Sequence, residues 1–192
     1  MKKHWFPLIV LLAACSLQAD DKLSEAPEYV NEAPLPENWP APGPYNEVAE
    51  KAYPSYRAAF TNGKGERGAF WTLFMHIKKN QIPMTAPVEM AMADDEGKLE
   101  RKGMAFLYQN GKVGTAGSAG AKVEVRDVPG AKALSYAWQG PDSKQNVALA
   151  REALEAVIET RGLETQGFRM LGYNGPGTPR DKKTWELQAL LK

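Results

Sequence analysis

The sequence predicts an α+β domain: a distorted antiparallel β-barrel of about eight strands flanked by two α-helices. Three observations carry this. Two segments, 67–80 and 142–162, space their apolar residues as one face of a helix. Most other stretches alternate apolar and polar residues between Gly, Pro or Asn turn signals. The strand-to-strand links that follow each helix are too short for crossovers, so these neighbours run antiparallel. The order of strands, helix, strand, strand occurs twice, which predicts pseudo-repeated half-domains, although no sequence repeat proves duplication. This many strands suffice to close a barrel, or nearly so, with the helices outside.

In chain order, residues 1–14 read as an export signal. Lys2 and Lys3 precede an apolar run over residues 5–14, about half of the ~20 residues that span a bilayer. The run ends in Leu12-Ala13-Ala14-Cys15, which resembles a bacterial lipobox: small residues let a peptidase hold the backbone, and the thiol takes the lipid. The alternative is an ordinary signal cut near residues 17–19, with Cys15 discarded. Cys15 is the only cysteine among 192 residues, which favours lipidation and excludes an internal disulfide and, once lipidated, thiol catalysis. Two or more acyl chains make such anchoring stable. Ser16, not Asp, follows the cysteine, the pattern that sorts lipoproteins of this kind to the outer membrane, facing the periplasm.

Residues 15–44 are expected to be the lipidated Cys and a Pro-rich tether, with Pro27, Pro34, Pro36, Pro40, Pro42 and Pro44. A second reading packs 35–45 on the domain through Trp39 and Tyr45. The domain itself is assigned to 45–192. It opens with interrupted strand character over 45–60. In the first helix Phe70, Leu73, Phe74 and Ile77 share a face, and Lys78 and Lys79 suit its C-terminal dipole. Strands are expected over 82–92 and 98–109, the latter ended by Asn110-Gly111, then a Gly/Ala/Ser loop over 111–121. Residues 122–128 alternate strictly, Pro129-Gly130 turns the chain, and 131–140 form the next strand. The second helix has Asp142 or Ser143 to cap it, a stripe of Val147, Ala150, Leu154, Val157 and Ile158, and Gly162 to end it. Strands over 164–174 and 183–191 close the chain.

Composition narrows the function. At 43% hydrophobic residues the chain can build a core, and 24 Lys and Arg against 23 Asp and Glu leave no cationic excess for nucleic acid. Without residues 1–14, 22 basic residues face 23 acidic ones. A Ser-His-Asp triad would have to use His76, the only histidine outside the signal. No zinc-ligand spacing, EF-hand loop or phosphate-binding Gly motif is present. These absences point away from catalysis.

The most unusual stretch is "QIPMTAPVEMAM" at 81–92. Ile82, Met84, Ala86, Val88, Met90 and Met92 share one face by period two, while Pro83 and Pro87 cannot donate to a ladder and imply an edge strand or an irregular lip. Together with Phe70, Leu73, Ile77 and Asn80 before it, Met84-Thr85-Ala86-Pro87-Val88 resembles the central signature of the SOUL heme-binding protein family. The closing "LGYNGPGTPRDKKTWEL", through Tyr173, Asn174, Pro176, Thr178, Pro179 and Trp185, is similar to that family's last loop and strand. The resemblance spans about residues 45–192 and implies a distorted antiparallel barrel with two flanking helices, in agreement with the pattern above.

The resemblance implies binding of heme or another tetrapyrrole in an apolar groove without strong axial ligation. The axial His proposed in some members is not at the position of His76. Heme wants a flat apolar cleft, cations for its propionates and often an axial nitrogen or sulfur. The cofactor-binding candidates are therefore His76, Trp71 and Met84, with Met90 and Met92 as further soft donors, Phe70 and Phe74 as groove walls, and Arg57, Arg67, Lys78 and Lys79 as propionate partners. Each has a plain structural reading as well: a satisfied helix histidine, core methionines and aromatics, a solvated basic face. The competing function is a non-enzymatic module of the same fold that binds another apolar small molecule or a partner protein.

Overall fold

The computed structural model describes residues 27–61 and 68–192. Its elements are β1 (Val48–Tyr53), β2 (Tyr56–Thr61), α1 (Ala69–Lys79), β3 (Val88–Asp95), β4 (Lys98–Leu107), β5 (Gly117–Ser118), β6 (Val123–Val128), β7 (Ala131–Gln139), α2 (Lys144–Arg161), β8 (Thr165–Gly172) and β9 (Thr184–Leu191). All the strands join one nine-stranded sheet in the order β1-β7-β9-β8-β3-β4-β2-β6-β5, and every strand pair in it is antiparallel.

The order is a palindrome of the two half-domains. β3-β4-β2 of the first half mirrors β8-β9-β7 of the second, and each half lends its first strand to the other: β1 borders β7, and β6 borders β2. The centre is the β3–β8 pair, where Met90 faces Met170. β1 and β2 are separated only by Pro54-Ser55 yet do not pair. The lending of first strands sends them to opposite ends of the sheet.

The expected barrel is corrected here: the sheet does not close, because its edge strands β1 and β5 hydrogen-bond to one neighbour each. It curls instead. Tyr53 of β1 and Tyr56 of β2, from strands far apart in the sheet order, pack in one cluster with Ala58, Ala105, Leu107, Ala133 and Leu171. The strand count also rises from about eight to nine through β5, two residues within the expected loop.

Both helices lie on the convex face. α1 places Leu73 and Ile77 against Ala59, Phe106, Val123 and Val125. α2 places Ala150 and Leu154 against Met90, Leu134, Met170 and Leu187. Truncating a residue as buried as Leu154 removes the transfer gain of its side chain and leaves a cavity, together worth about 2–5 kcal/mol. Ser143 caps α2 by accepting from the Asn146 N–H at 3.2 Å, and Gly162, at φ 60°, ends it in the left-handed conformation that glycine adopts without strain.

Residues 82–87 differ from the expected strand. β3 begins only at Val88 and sits inside the sheet, so the prolines mark an irregular entry and not an edge. Pro83 and Pro87 lack the N–H groups a central ladder needs. The segment is held otherwise: the Thr85 hydroxyl donates to Leu107 O at 2.6 Å, and the Ala86 N–H to Pro34 O at 3.0 Å. The period-two face is fully buried only at Ala86 and Met90; Ile82, Met84 and Val88 are half-buried beneath α1 and Met92 half-buried beneath α2, while Thr85, Pro87 and Glu89 of the opposite face are buried too.

Candidate functional site

Beyond the bulge at Ala91/Met92, β3 leaves β8 and continues with β4 as a free-standing hairpin. Glu96 and Gly97 form its two-residue turn, both at positive φ, the combination that matches the twist of the flanking strands. The hairpin leans over α2 and is tied to it twice. Arg151 reaches Asp94 at 2.5 Å and Glu155 at 2.7 Å, and Arg101 reaches Asp142 at 2.7 Å. Arg151 thereby holds the Asp94 carboxyl below its usual range.

The space between hairpin and helix is a groove of about 1030 Å³, ample for a small-molecule site. Met92 and Leu99 line it from the hairpin, Val147 and Ala148 from the helix. Lys98 and Lys144 also line it and form no ion pair among the described residues. The groove therefore offers apolar walls, two lysine ammonium groups and one thioether, beside the carboxylates of Glu100, Asp142, Glu152 and Glu155, of which Glu100 lies within the field of both lysines. No histidine or cysteine lines it, and no group of three or more His, Cys, Asp or Glu able to hold a metal ion occurs among the described residues.

The three sequence candidates lie instead around α1. His76 lines a second, more open depression of about 760 Å³ with Met75, Lys79 and Lys122. Both its ring nitrogens are engaged, Nε2 with the Tyr108 hydroxyl at 2.8 Å and Nδ1 with the Asn80 amide at 3.3 Å. Burial, and secondarily the Lys79 ammonium, hold its pKa below the ordinary histidine value. Burial likewise pushes up the Tyr108 hydroxyl, which stays protonated. Trp71 is 65% exposed and meets Phe70 and Phe74 edge-on at 5.9 and 5.6 Å. Met84 packs under the helix with Phe70, Phe74 and Phe106. His76 thus faces one depression, Trp71 faces solvent and Met84 faces the core, so no common cleft unites them.

Of the remaining candidates, Arg57 is committed to Asp127 at 2.7 Å and to Gly114 O at 2.8 Å. Lys78 and Lys79 occupy the last turn of α1. Arg67 and Cys15 lie outside the described residues. Sequence reasoning missed Lys98, Lys144 and Leu99. They belong to two segments distant in sequence, and only the packing of hairpin on helix joins them. Met92 was named as a soft donor and does line the groove.

The concave face is lined differently. Glu186, fully buried, accepts hydrogen bonds from Tyr53 at 2.5 Å, Ser135 at 2.5 Å, Gln188 at 2.5 Å and Tyr173 at 3.2 Å, and pairs with Lys51 at 3.1 Å. Glu89 accepts from Tyr56 at 2.6 Å and Arg169 at 3.2 Å. Residues 34–45 cross this face. Trp39, 5% exposed, packs against Tyr53 and Tyr56 with ring centroids 4.9 and 5.2 Å away, and Tyr45 bonds Thr184 at 3.1 Å. These residues lie on the sheet, in the manner of the packed alternative for the segment.

A family model described as SOUL heme-binding protein matches residues 44–186. No curated protein matches the chain. Among solved structures, a hydrolase from Listeria innocua is similar at 15% identity and TM-score 0.55, over 78% of this chain and 94% of that one. An uncharacterized conserved protein from Listeria innocua matches at 15% identity and TM-score 0.57, over 78% and 94%. The EcmrR C-terminal domain matches at 18% identity and TM-score 0.56, over 76% and 97%. At these identities the likeness is one of fold.

Proposed function

This chain belongs to the SOUL heme-binding protein family, and on that premise we propose that it binds heme or a related tetrapyrrole in the groove between α2 and the β3–β4 hairpin, as a carrier or sensor and not as an enzyme. The observation that carries the placement is the pairing of apolar walls, Met92, Leu99, Val147 and Ala148, with two lysines free of ion pairs, Lys98 and Lys144. A tetrapyrrole is a flat apolar ring bearing carboxylates. Its ring buries apolar area at roughly 25 cal/mol per Å², and its carboxylates need cations at the rim.

The residues fit the ring and its carboxylates better than they fit a metal. The groove offers the iron at most the Met92 thioether, a weak soft donor, and His76 is on another surface with both nitrogens engaged. Binding without strong axial ligation follows, with Lys98 and Lys144 holding the carboxylates and the apolar walls excluding water from the ring. We place the protein in the cell envelope, exported by residues 1–14 and anchored to the outer membrane through a lipid on Cys15, facing the periplasm. Among the described residues no helix is long and apolar enough to cross a membrane, and the lipobox-like Leu12-Ala13-Ala14-Cys15 supports the anchor.

A hemin titration of the full chain followed by visible absorption tests the reading, beside the Lys98→Glu/Lys144→Glu variant. A saturable Soret shift that the double variant weakens at least tenfold is expected, and metal-free protoporphyrin is expected to bind within a few-fold of hemin. No saturable shift overturns the ligand; a shift unaffected by the lysine changes overturns the groove.

A further inference from the structure

Two buried side-chain polar atoms that lack a hydrogen-bond partner among the described residues, Trp39 Nε1 and Arg169 Nη2, belong to side chains in contact, the Arg169 guanidinium lying 5.5 Å from the Trp39 ring centroid. Buried polar groups are nearly always satisfied, and exceptions call for a cause. Both lie where residues 34–45 cross the concave face. The Trp39 N–H is close enough to Tyr173 to favour its ionised form, yet closes no hydrogen bond of normal geometry. Arg169 lies over Trp39, Tyr53 and Tyr56 at 5.0–5.9 Å and donates to Gln188 Oε1 at 2.7 Å, to Tyr56 Oη at 3.0 Å and to Glu89, which leaves both N–H groups of Nη2 unused.

The chamber around Trp39 is otherwise complete. Two carboxylates, Glu89 and Glu186, balance two cations, Arg169 and Lys51. Glu186 is bonded by four neutral donors and an ammonium, so a cation brought in would find no idle acceptor there. An anion would enter a space already balanced. Burying a net charge without compensation is costly. What is left over is a donor, Arg169 Nη2, and a second donor, Lys51, which the crossing segment satisfies with a carbonyl: Lys51 Nζ donates to Ala41 O at 3.1 Å. The segment therefore presents an indole ring and, two residues on, a neutral carbonyl.

We propose that this chamber is a binding site for a neutral planar aromatic compound bearing a carbonyl acceptor, and that Trp39 with Ala41 occupies it in cis. A ligand of this class replaces the indole between Tyr53 and Tyr56 and gives Arg169 the acceptor that Trp39 does not. The site lies on the opposite face of the sheet from the α2 groove and stands or falls separately from tetrapyrrole binding. The crossing segment is fastened at its flanks by Ala86 N–H to Pro34 O, by Glu37 N–H to Gln109 O at 2.8 Å and by Asn46 N–H to Ala137 O at 2.8 Å. Displacement is thus a local opening between anchored ends, of the kind that proteins undergo well below global unfolding.

The test is calorimetric titration of the full chain, wild type and Trp39→Ala, with indole-3-acetamide, its cationic analogue tryptamine and its anionic analogue indole-3-acetate. Trp39→Ala is expected to bind the amide at least tenfold more tightly than wild type does, and at least tenfold more tightly than it binds either charged analogue. Equal affinity in both proteins, or preference for a charged analogue, overturns the proposal. Should Trp39→Ala fail to unfold cooperatively, hydrogen exchange in the wild type decides. Saturating amide is expected to speed exchange severalfold at Trp39, whose N–H bonds Pro36 O at 3.0 Å, while the anchor at Glu37 stays protected, and unchanged exchange at Trp39 overturns the proposal.

Discussion

The Tyr53 hydroxyl donates to Glu186 at 2.5 Å inside a sheet whose two edges do not meet. Burial first, and the Glu186 charge second, push the Tyr53 hydroxyl far above its usual pKa. Burial does the same at Tyr56 and Tyr173, each again beside a glutamate. The folded state thus retains three protons that the unfolded chain releases near pH 10.

The sign of the pH effect follows. A group whose folded pKa is raised contributes fully below its unfolded pKa, and stability falls as pH rises above it. Each such tyrosine removes about 1.4 kcal/mol per pH unit above roughly pH 10. Urea unfolding is expected to show a steep loss of stability between pH 10 and 11, shallower by about one proton in Tyr53→Phe. At pH 7 the same variant loses about 1–2 kcal/mol, because a buried acceptor loses one of its donors. A flat profile across pH 10 contradicts the buried tyrosine network.

Gly172 answers to a different constraint. A Cβ there would sit 2.7 Å from the Trp185 ring, and that ring is fixed by its N–H bond to Gly140 O at 3.0 Å. Gly172→Ala is expected to cost about 1–3 kcal/mol, as overpacking does. Chemical denaturation reads it, and a loss below about 0.5 kcal/mol would mean that the ring moves freely.

The sequence made both helices legible, with α2 ending at the expected Gly162, because apolar spacing and caps are local. It made about eight strands legible for the same reason, with β1 and β2 read together as one interrupted stretch over 45–60. Closure and sheet order were not, since the exchange of β1 and β6 between half-domains is decided by packing. The polar interior was hidden for a sharper reason. In "KTWELQALL" the alternation puts Thr184, Glu186 and Gln188 on one face. Polar alternation ordinarily reads as solvent-facing, yet all three are fully buried, satisfied by Tyr45 at Thr184, by partners from β1, β7 and Tyr173 at Glu186, and by Arg169 of β8 at Gln188. Alternation reports two unlike faces, not which of them is wet.

The proposed membrane attachment rests on one atom, the Cys15 sulfur. Expressed in a Gram-negative host and fractionated, the wild type is expected in the outer membrane and Cys15→Ser in the soluble periplasmic fraction, since removing the acylated thiol removes the hydrophobic anchor. Mass spectrometry of the N-terminal peptide provides the direct check. A soluble wild type with an unmodified terminus near residue 20 rules out the lipobox.

The last prediction separates the groove from His76. An axial histidine must be neutral to ligate, so heme affinity resting on it declines as pH falls through its titration. Here no imidazole lines the groove, so no histidine there changes charge between pH 5.5 and 8. Hemin affinity is therefore expected to vary less than about threefold over that range, and His76→Ala to bind hemin as wild type does. The variant still registers in stability. It strips the Tyr108 hydroxyl of its partner at 2.8 Å, which costs about 1–2 kcal/mol. Affinity that falls tenfold toward pH 5.5 in the wild type, and loses that slope in His76→Ala, would move the ligand from the α2 groove to the depression beside α1.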